Sequence, residues 1–159
     1  MNLPPFHKCA KILNLPGCYV LVLNNTCPQS LAVGRLGTFV FSPGTYAYVG
    51  SAMGGLSKRI QRYLKPIRRP HWHIDVLVTA FRLTDVWLFP SPKRQECEVA
   101  EVFLKTPHVT FLEGFGCTDC VCPSHLFDIT RIEKTPLFRK IKGALDCGSA
   151  TAVSIPEAP

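Results

Sequence analysis

The stretch Gly44-Thr45-Tyr46-Ala47-Tyr48-Val49-Gly50-Ser51-Ala52 is followed at once by Leu56-Ser57-Lys58-Arg59-Ile60-Gln61-Arg62-Tyr63-Leu64. Its first half alternates aromatic and small residues and closes on Gly50, the pattern of a strand entering a tight turn. Its second half sets Leu56, Ile60 and Tyr63/Leu64 at helical spacing, so a helix begins near Leu56. Arg59 and Tyr63 are four residues apart and share a face of that helix. A tyrosine at a strand end, a glycine permitting close backbone approach and an arginine one turn away make a corner suited to phosphate. The guanidinium fork matches phosphate oxygens better than a lysine point charge does.

Two further groups have chemistry in their spacing. Cys117-Thr118-Asp119-Cys120-Val121-Cys122-Pro123-Ser124-His125 offers four soft or borderline ligands in nine residues. Three thiolates and an imidazole suit tetrahedral zinc, and the alternative is a set of reduced, partly buried thiols. In His71-Trp72-His73-Ile74-Asp75, an extended backbone would put His71, His73 and Asp75 on one face. That face reads as a hydrogen-bonded structural network, a metal pair, or a contact to phosphate. His73 also suits general-base work, since an ordinary histidine titrates near neutrality.

The elements that must position these groups follow from pattern. Strands are expected at about 18–23, 31–41 and 45–50, joined by turns into an antiparallel meander, with Gly34 and Gly37 marking a bulge or close approach. A basic helix spans about 55–65 and stops before Pro66; 72–80 reads equally as strand or short helix. A strand at 82–89, a helix at 94–105, a short strand at 108–112 and a last strand near 126–129 complete the domain. Residues 1–14 read as an irregular lead-in, 15–142 as the single domain and 143–159 as a disordered tail. The fold class is α/β (α+β), a small central antiparallel sheet flanked by helices with an appended Cys/His-rich loop.

Size and composition narrow the rest. At 159 residues with 47% apolar content, the chain has the length for one domain with a real core. No apolar run approaches the ~20 residues needed to span a bilayer, and Met1 to Lys8 lacks the apolar core of a signal peptide. The expectation is a soluble, cytoplasmic protein with no membrane partner. Among its eight cysteines, Cys9, Cys18, Cys27 and Cys147 are scattered and read as small buried hydrophobes or tail residues. The net charge of +7 is concentrated: Lys58, Arg59, Arg62, Lys65, Arg68 and Arg69 fall within twelve residues that hold no acid. Beside a phosphate corner, such a run reads as a polyanion footprint rather than a merely solvated face.

Taken together, these motifs resemble the GIY-YIG nuclease superfamily. Gly17-Cys18-Tyr19 and Tyr48-Val49-Gly50 stand as its two signature elements, followed by a helix with Arg59 and Tyr63. Within the superfamily the chain resembles a small branch without an assigned function. Its patterns are legible as Tyr48-Val49-Gly50-Ser51-Ala52, His71-Trp72-His73-Ile74-Asp75, Glu96-Cys97-Glu98 and Phe115-Gly116 through Leu126-Phe127. Ser51 stands where the family often has lysine, and 28 residues separate the two signature tyrosines where the usual gap is short. The resemblance implies that Tyr19 accepts the proton of an attacking water, that Tyr48 positions water or phosphate, and that Arg59 and Tyr63 hold the phosphate. It implies Glu98 as the carboxylate for one Mg²⁺ or Mn²⁺. The branch pattern adds Cys97 as the fourth zinc ligand with Cys120, Cys122 and His125, and Cys117 as the alternative.

The resulting expectation is a metal-dependent endonuclease-like protein acting on DNA, with repair as its setting. Lys58, Arg62, Lys65, Arg68 and Arg69 would bind the nucleic acid. Two rival readings keep the fold: a non-catalytic nucleic-acid-binding module, favoured by Ser51 and the long tyrosine spacing, and a zinc-stabilised adaptor to a DNA-repair enzyme.

Overall fold

Every residue of Gly17–Asn25 except Asn24 is buried, and this strand (β1) is the axis of the fold. A continuous apolar run such as Tyr19 to Leu23 can be covered on both faces, and it is. The computed structural model describes residues 14–136, 139 and 151–154. After β1 come β2 (Gln29–Ala32), β3 (Thr38–Phe41), β4 (Gly44–Ala52), helix α1 (Leu56–Tyr63), helix α2 (His73–Ala80) and β5 (Arg82–Pro90). Helix α3 (Glu96–Leu104), β6 (Thr110–Phe111), β7 (Leu126–Asp128) and β8 (Thr151–Ser154) follow. The main sheet runs β6-β7-β4-β1-β5-β8, with all its pairings antiparallel.

Strand periodicity divides the core in two. Tyr19, Leu21 and Leu23 of β1 join Val86 and Leu88 of β5 on one face, covered by Leu56, Ile60 and Tyr63 of α1 and Ile74 and Leu77 of α2. Cys18, Val20 and Val22 face the other way with Ala47, Val49, Trp87 and Phe89, under Val99, Ala100 and Phe103 of α3. The architecture is therefore α+β, an antiparallel sheet between a helix pair and a single helix, with the Cys/His-rich loop appended between β6 and β7.

The expected long strand at 31–41 is two strands. A 3-10 turn at Gly34–Leu36 breaks it, with Gly34 at φ 48° and Gly37 at φ 103°, both left-handed values that favour glycine. The resulting β2–β3 hairpin is a separate two-stranded sheet, so β1 pairs directly with β4 rather than through a meander. Segment 72–80 is the helix α2, because the Asp75 carboxylate accepts from the backbone N–H of His71 (2.8 Å) and of Trp72 (3.1 Å). A carboxylate at the third helical position reaching back to the cap is a helix-start device with no counterpart in a strand. At the C-terminus, Thr151–Ser154 pairs with β5 at the sheet edge where a disordered tail was expected; the rest of 143–159, like residues 1–13 with Cys9, and Cys147, lies outside the described residues. Among the described residues no helix is long and apolar enough to cross a membrane.

Candidate functional site

Register builds the centre of the site. Tyr19 of β1 lies opposite Gly50 of β4. A side chain at Gly50 would collide with the Tyr19 phenol, so the glycine is what lets the ring lie across the neighbouring strand. The Tyr19 hydroxyl is 2.8 Å from that of Tyr63. The Tyr19 ring centroid lies 5.8 Å from Tyr63 and 6.4 Å from Tyr48. Three phenols from β1, β4 and α1 thus converge at one end of the sheet. They line a cavity of ≈ 250 Å³ together with Ser51, Arg59, His71, Trp72, His73, Glu96, Cys120 and His125, among others.

Burial sets the electrostatics. It pushes the Tyr19 and Tyr48 hydroxyls well above the ordinary phenol value, reinforced by the neighbouring phenols, while Arg59 pulls back. Tyr63 is raised by burial as well, against the Tyr19 hydrogen bond and the Arg59 guanidinium. All three are neutral phenols at neutral pH. His73, at the start of α2, is shifted below its ordinary value by burial, so it is a neutral imidazole. Its ring packs on Phe115, and its Nδ1 accepts a long 3.5 Å bond from the Gly116 N–H. The same Phe115 ring meets the edge of Tyr48.

The two arginines of α1 are used differently. Arg59 stacks its guanidinium 3.9 Å from the centroid of Trp72, which holds it in the cavity wall, and no carboxylate among the described residues neutralises it. Arg62, expected to bind nucleic acid, is bound to buried Asp75 through Nε at 3.2 Å and Nη2 at 2.5 Å, with its side chain 31% exposed. Burial alone would raise the Asp75 pKa; Arg62 and the two backbone N–H groups outweigh it and hold the carboxyl below the usual range. In the His-x-His-x-Asp stretch, Asp75 is therefore a structural pin, and only His71 and His73 reach the cavity. The remaining basic residues, Lys58, Lys65, Arg68 and Arg69, are exposed and line an open groove with Gln61, Arg62, Pro66 and Ile67. A hollow shares Lys58 and Arg62 with the groove and Arg59 and Trp72 with the cavity.

The carboxylates lining the cavity are Glu96 and Asp119, and Glu98 is not among them. Glu98 is exposed and lines none of it, because residues two apart on a helix point to opposite sides. The inward face of α3 runs through Val99, Ala100 and Phe103, and stepping back one turn from Ala100 reaches Glu96. That phase was the signal that could have found it. The Glu96 side chain is 13% exposed; its Oε1 is 3.5 Å from Arg94, and its Oε2 is buried with no hydrogen-bond partner among the described residues. An orphaned carboxylate oxygen in a polar cavity fits a hard cation.

Cys97, Cys120, Cys122 and His125 place their ligand atoms within 4.8 Å of one another. This cluster could hold a metal ion such as zinc. Cys117 stands outside it, its Sγ donating to the Phe115 carbonyl at 3.3 Å, so Cys97 and not Cys117 completes the set. His125 Nδ1 is 3.1 Å from the Val49 carbonyl and its Nε2 is 3.3 Å from Cys120 Sγ. A proton on Nδ1 directed to that carbonyl leaves Nε2 as the free ligand nitrogen. Burial, then the neighbouring thiols, push Cys97 up to about 12.

Neither the curated proteins nor the solved structures provide a match to this chain. A family model does match, over residues 18–146, which takes in every strand and helix of the site. The chain belongs to the family described as Domain of unknown function DUF123.

Proposed function

We propose that this protein is a metal-dependent, GIY-YIG-like endonuclease that hydrolyses phosphodiester bonds in DNA, with repair as its setting. The observation that carries the reading is the company kept in one cavity: three converging phenols and, among the described residues, an arginine without an acidic partner and a buried carboxylate oxygen with nothing bonded to it. The basic groove supports a polyanionic substrate.

Each residue has a task. Arg59, kept in place by Trp72, binds the non-bridging oxygens of the scissile phosphate. Tyr48 and Tyr63, as neutral phenols, donate hydrogen bonds to the same group. Tyr19 hydrogen-bonds the attacking water and would take its proton only as the phenolate, and its bond to Tyr63 holds it in line. Glu96 would hold Mg²⁺ or Mn²⁺, which supplies Lewis-acid stabilisation of the phosphate and the leaving oxygen. The Cys97, Cys120, Cys122 and His125 cluster is a structural zinc site.

One observation favours the binding-module reading. All three phenols are held neutral by burial, and Ser51 offers no cationic side chain to draw them toward phenolate. A nicking assay on supercoiled plasmid and branched oligonucleotides, with Mg²⁺ or Mn²⁺, separates the two. Cutting that is lost in Tyr19→Phe and in Glu96→Gln establishes the hydrolase. Salt-sensitive DNA binding without cutting under either metal establishes the module.

A further inference from the structure

Glu96 and Cys97 are consecutive residues in the first turn of α3, yet they look toward different chemistry. Glu96 contributes to the cavity an oxygen unpartnered among the described residues, the donor type of a hard cation. Cys97 contributes sulfur to a cluster of three thiols and one imidazole, the donor set of zinc and of few other divalent ions.

The cluster is no remote staple. Cys120 and His125 line the tyrosine cavity themselves, together with Gly116, Thr118 and Asp119 of the same loop. Its ligands come from three pieces of chain: α3, the loop, and the residue entering β7. His125 is further tied to β4 from both ends of one peptide neighbour, since the Val49 N–H donates to its backbone carbonyl at 2.9 Å and the Val49 carbonyl faces its Nδ1. Val49 adjoins Tyr48. Gly116, at φ 73°, lies between the Tyr48 ring and His125, and a Cβ there would sit 3.1 Å from the one and 3.2 Å from the other. Cys120, by contrast, meets His125 and the neighbouring thiols of Cys97, Cys117 and Cys122, and Val121 beside it is fully exposed. A cation bound by that cluster would join the loop's metal-facing half to α3 and β7.

We infer that a zinc-class cation held by Cys97, Cys120, Cys122 and His125 forms one wall of the tyrosine cavity and sets the position of Tyr48, separate in chemistry from the hard-cation position at Glu96. Calling that cavity the place of reaction rests on the hydrolytic reading above; the metal wall itself does not. Tetrahedral zinc places its ligand atoms roughly 3.5–3.8 Å apart; the 3.3 Å between His125 and Cys120 would open slightly, and the wider separations, all within 4.8 Å, would close by about 1 Å at most.

The test uses the full chain. Zinc is measured by elemental analysis, then stripped with a chelator and replaced by Zn²⁺ or Co²⁺, while tyrosine-ring NMR signals report on Tyr48 and far-UV circular dichroism reports on the fold. About one zinc per chain is expected, with sulfur-to-cobalt charge-transfer absorption in the cobalt form. Metal should be lost in Cys97→Ser and in Cys122→Ser, and kept in Cys27→Ser and Cys117→Ser. Stripping should shift the Tyr48 signals and leave the far-UV spectrum in place, with recovery on adding zinc but not magnesium. Less than about a tenth of a zinc per chain after reconstitution overturns the inference, as do unchanged metal content in Cys97→Ser or Tyr48 signals indifferent to metal. Zinc loading and the Tyr48 shift without cleavage of any DNA would sink the hydrolytic reading and uphold the wall.

Discussion

Helix α1 presents one face to the cavity and another to the open groove, and the two faces are built on different terms. The cavity face carries Arg59 and Tyr63, one clamped on Trp72 and the other bonded to Tyr19. The groove face carries Lys58 and leads on to Lys65, Arg68 and Arg69, all exposed. Between them Arg62 is spent on Asp75, which fastens α1 to α2. A preorganised charge acts where charge develops in a transition state, whereas exposed charges attract a polyanion without fixing its geometry. On the proposed reading, one short helix would separate the making of a rate from the making of an affinity.

The sharpest way to break that separation is Arg59→Ala. Loss of a preorganised phosphate ligand is expected to lower cleavage about 10³-fold, roughly 4 kcal/mol in activation free energy, while DNA affinity falls only a few-fold. Equal losses in single-turnover rate and in binding would recast Arg59 as one more groove residue. Next in size is the pin between the faces. Asp75→Ala leaves the His71 and Trp72 N–H groups and Arg62 without their acceptor and should cost about 3 kcal/mol in chemical denaturation. The same pair has a pH signature. Because the folded carboxyl titrates below its ordinary 3.8, its stabilisation is complete above that value and is lost as pH falls through the lower folded pKa. An acid melt in which wild type and Asp75→Asn lose stability in parallel below pH 4 would contradict this.

How much of this was readable beforehand depended on whether the signal was local. Tyr48, Arg59 and Tyr63 declared themselves because strand alternation, a closing glycine and a four-residue step each specify direction, whereas Tyr19 was singled out by the family resemblance. The β2–β3 hairpin did not, since Leu31 to Phe41 reads as one apolar stretch and only the glycine conformations reveal where the chain reverses. Segment 72–80 was ambiguous because its residues are apolar and largely β-branched; the deciding fact was the capping role of Asp75, visible in hindsight as an acid at the third helical position. Arg62 looked like its neighbours in a charge run. Only the fold brings Asp75 beneath it, thirteen residues further along. The cysteines fell between these cases: three ligands lie in one loop, and the fourth, Cys97, was named by the family resemblance with Cys117 as alternative, a choice that the packing of α3 bears out.

Glu96 tests whether the rate-making side has a second, facing wall. Glu96→Gln keeps shape and removes charge, so cleavage should fall about 10²-fold with a raised requirement for Mg²⁺ or Mn²⁺. Glu98→Gln, exposed and turned away, should match wild type within about two-fold, the ordinary range for a surface change. A reversal of the two results, with Glu98→Gln the deficient variant, would return the metal carboxylate to the outer side of α3 and remove Glu96 from the site.

The smallest effects belong to the groove, and their form matters more than their size. Each exposed cation that displaces a counterion from B-DNA contributes about 0.9 to the slope of log affinity against log salt. Lys65→Ala and Arg68→Ala should therefore each flatten that slope by about one and weaken binding uniformly across sequences. Single-turnover cleavage at saturating DNA should stay unchanged, because neither side chain lines the cavity. Arg62→Ala is the informative contrast. Its guanidinium is held by Asp75, so it should lower stability and leave the salt slope nearly as it was. If Arg62→Ala instead flattened the slope as much as Lys65→Ala, the arginine would be leaving its carboxylate for phosphate, and the two faces of α1 would be coupled through it rather than kept apart.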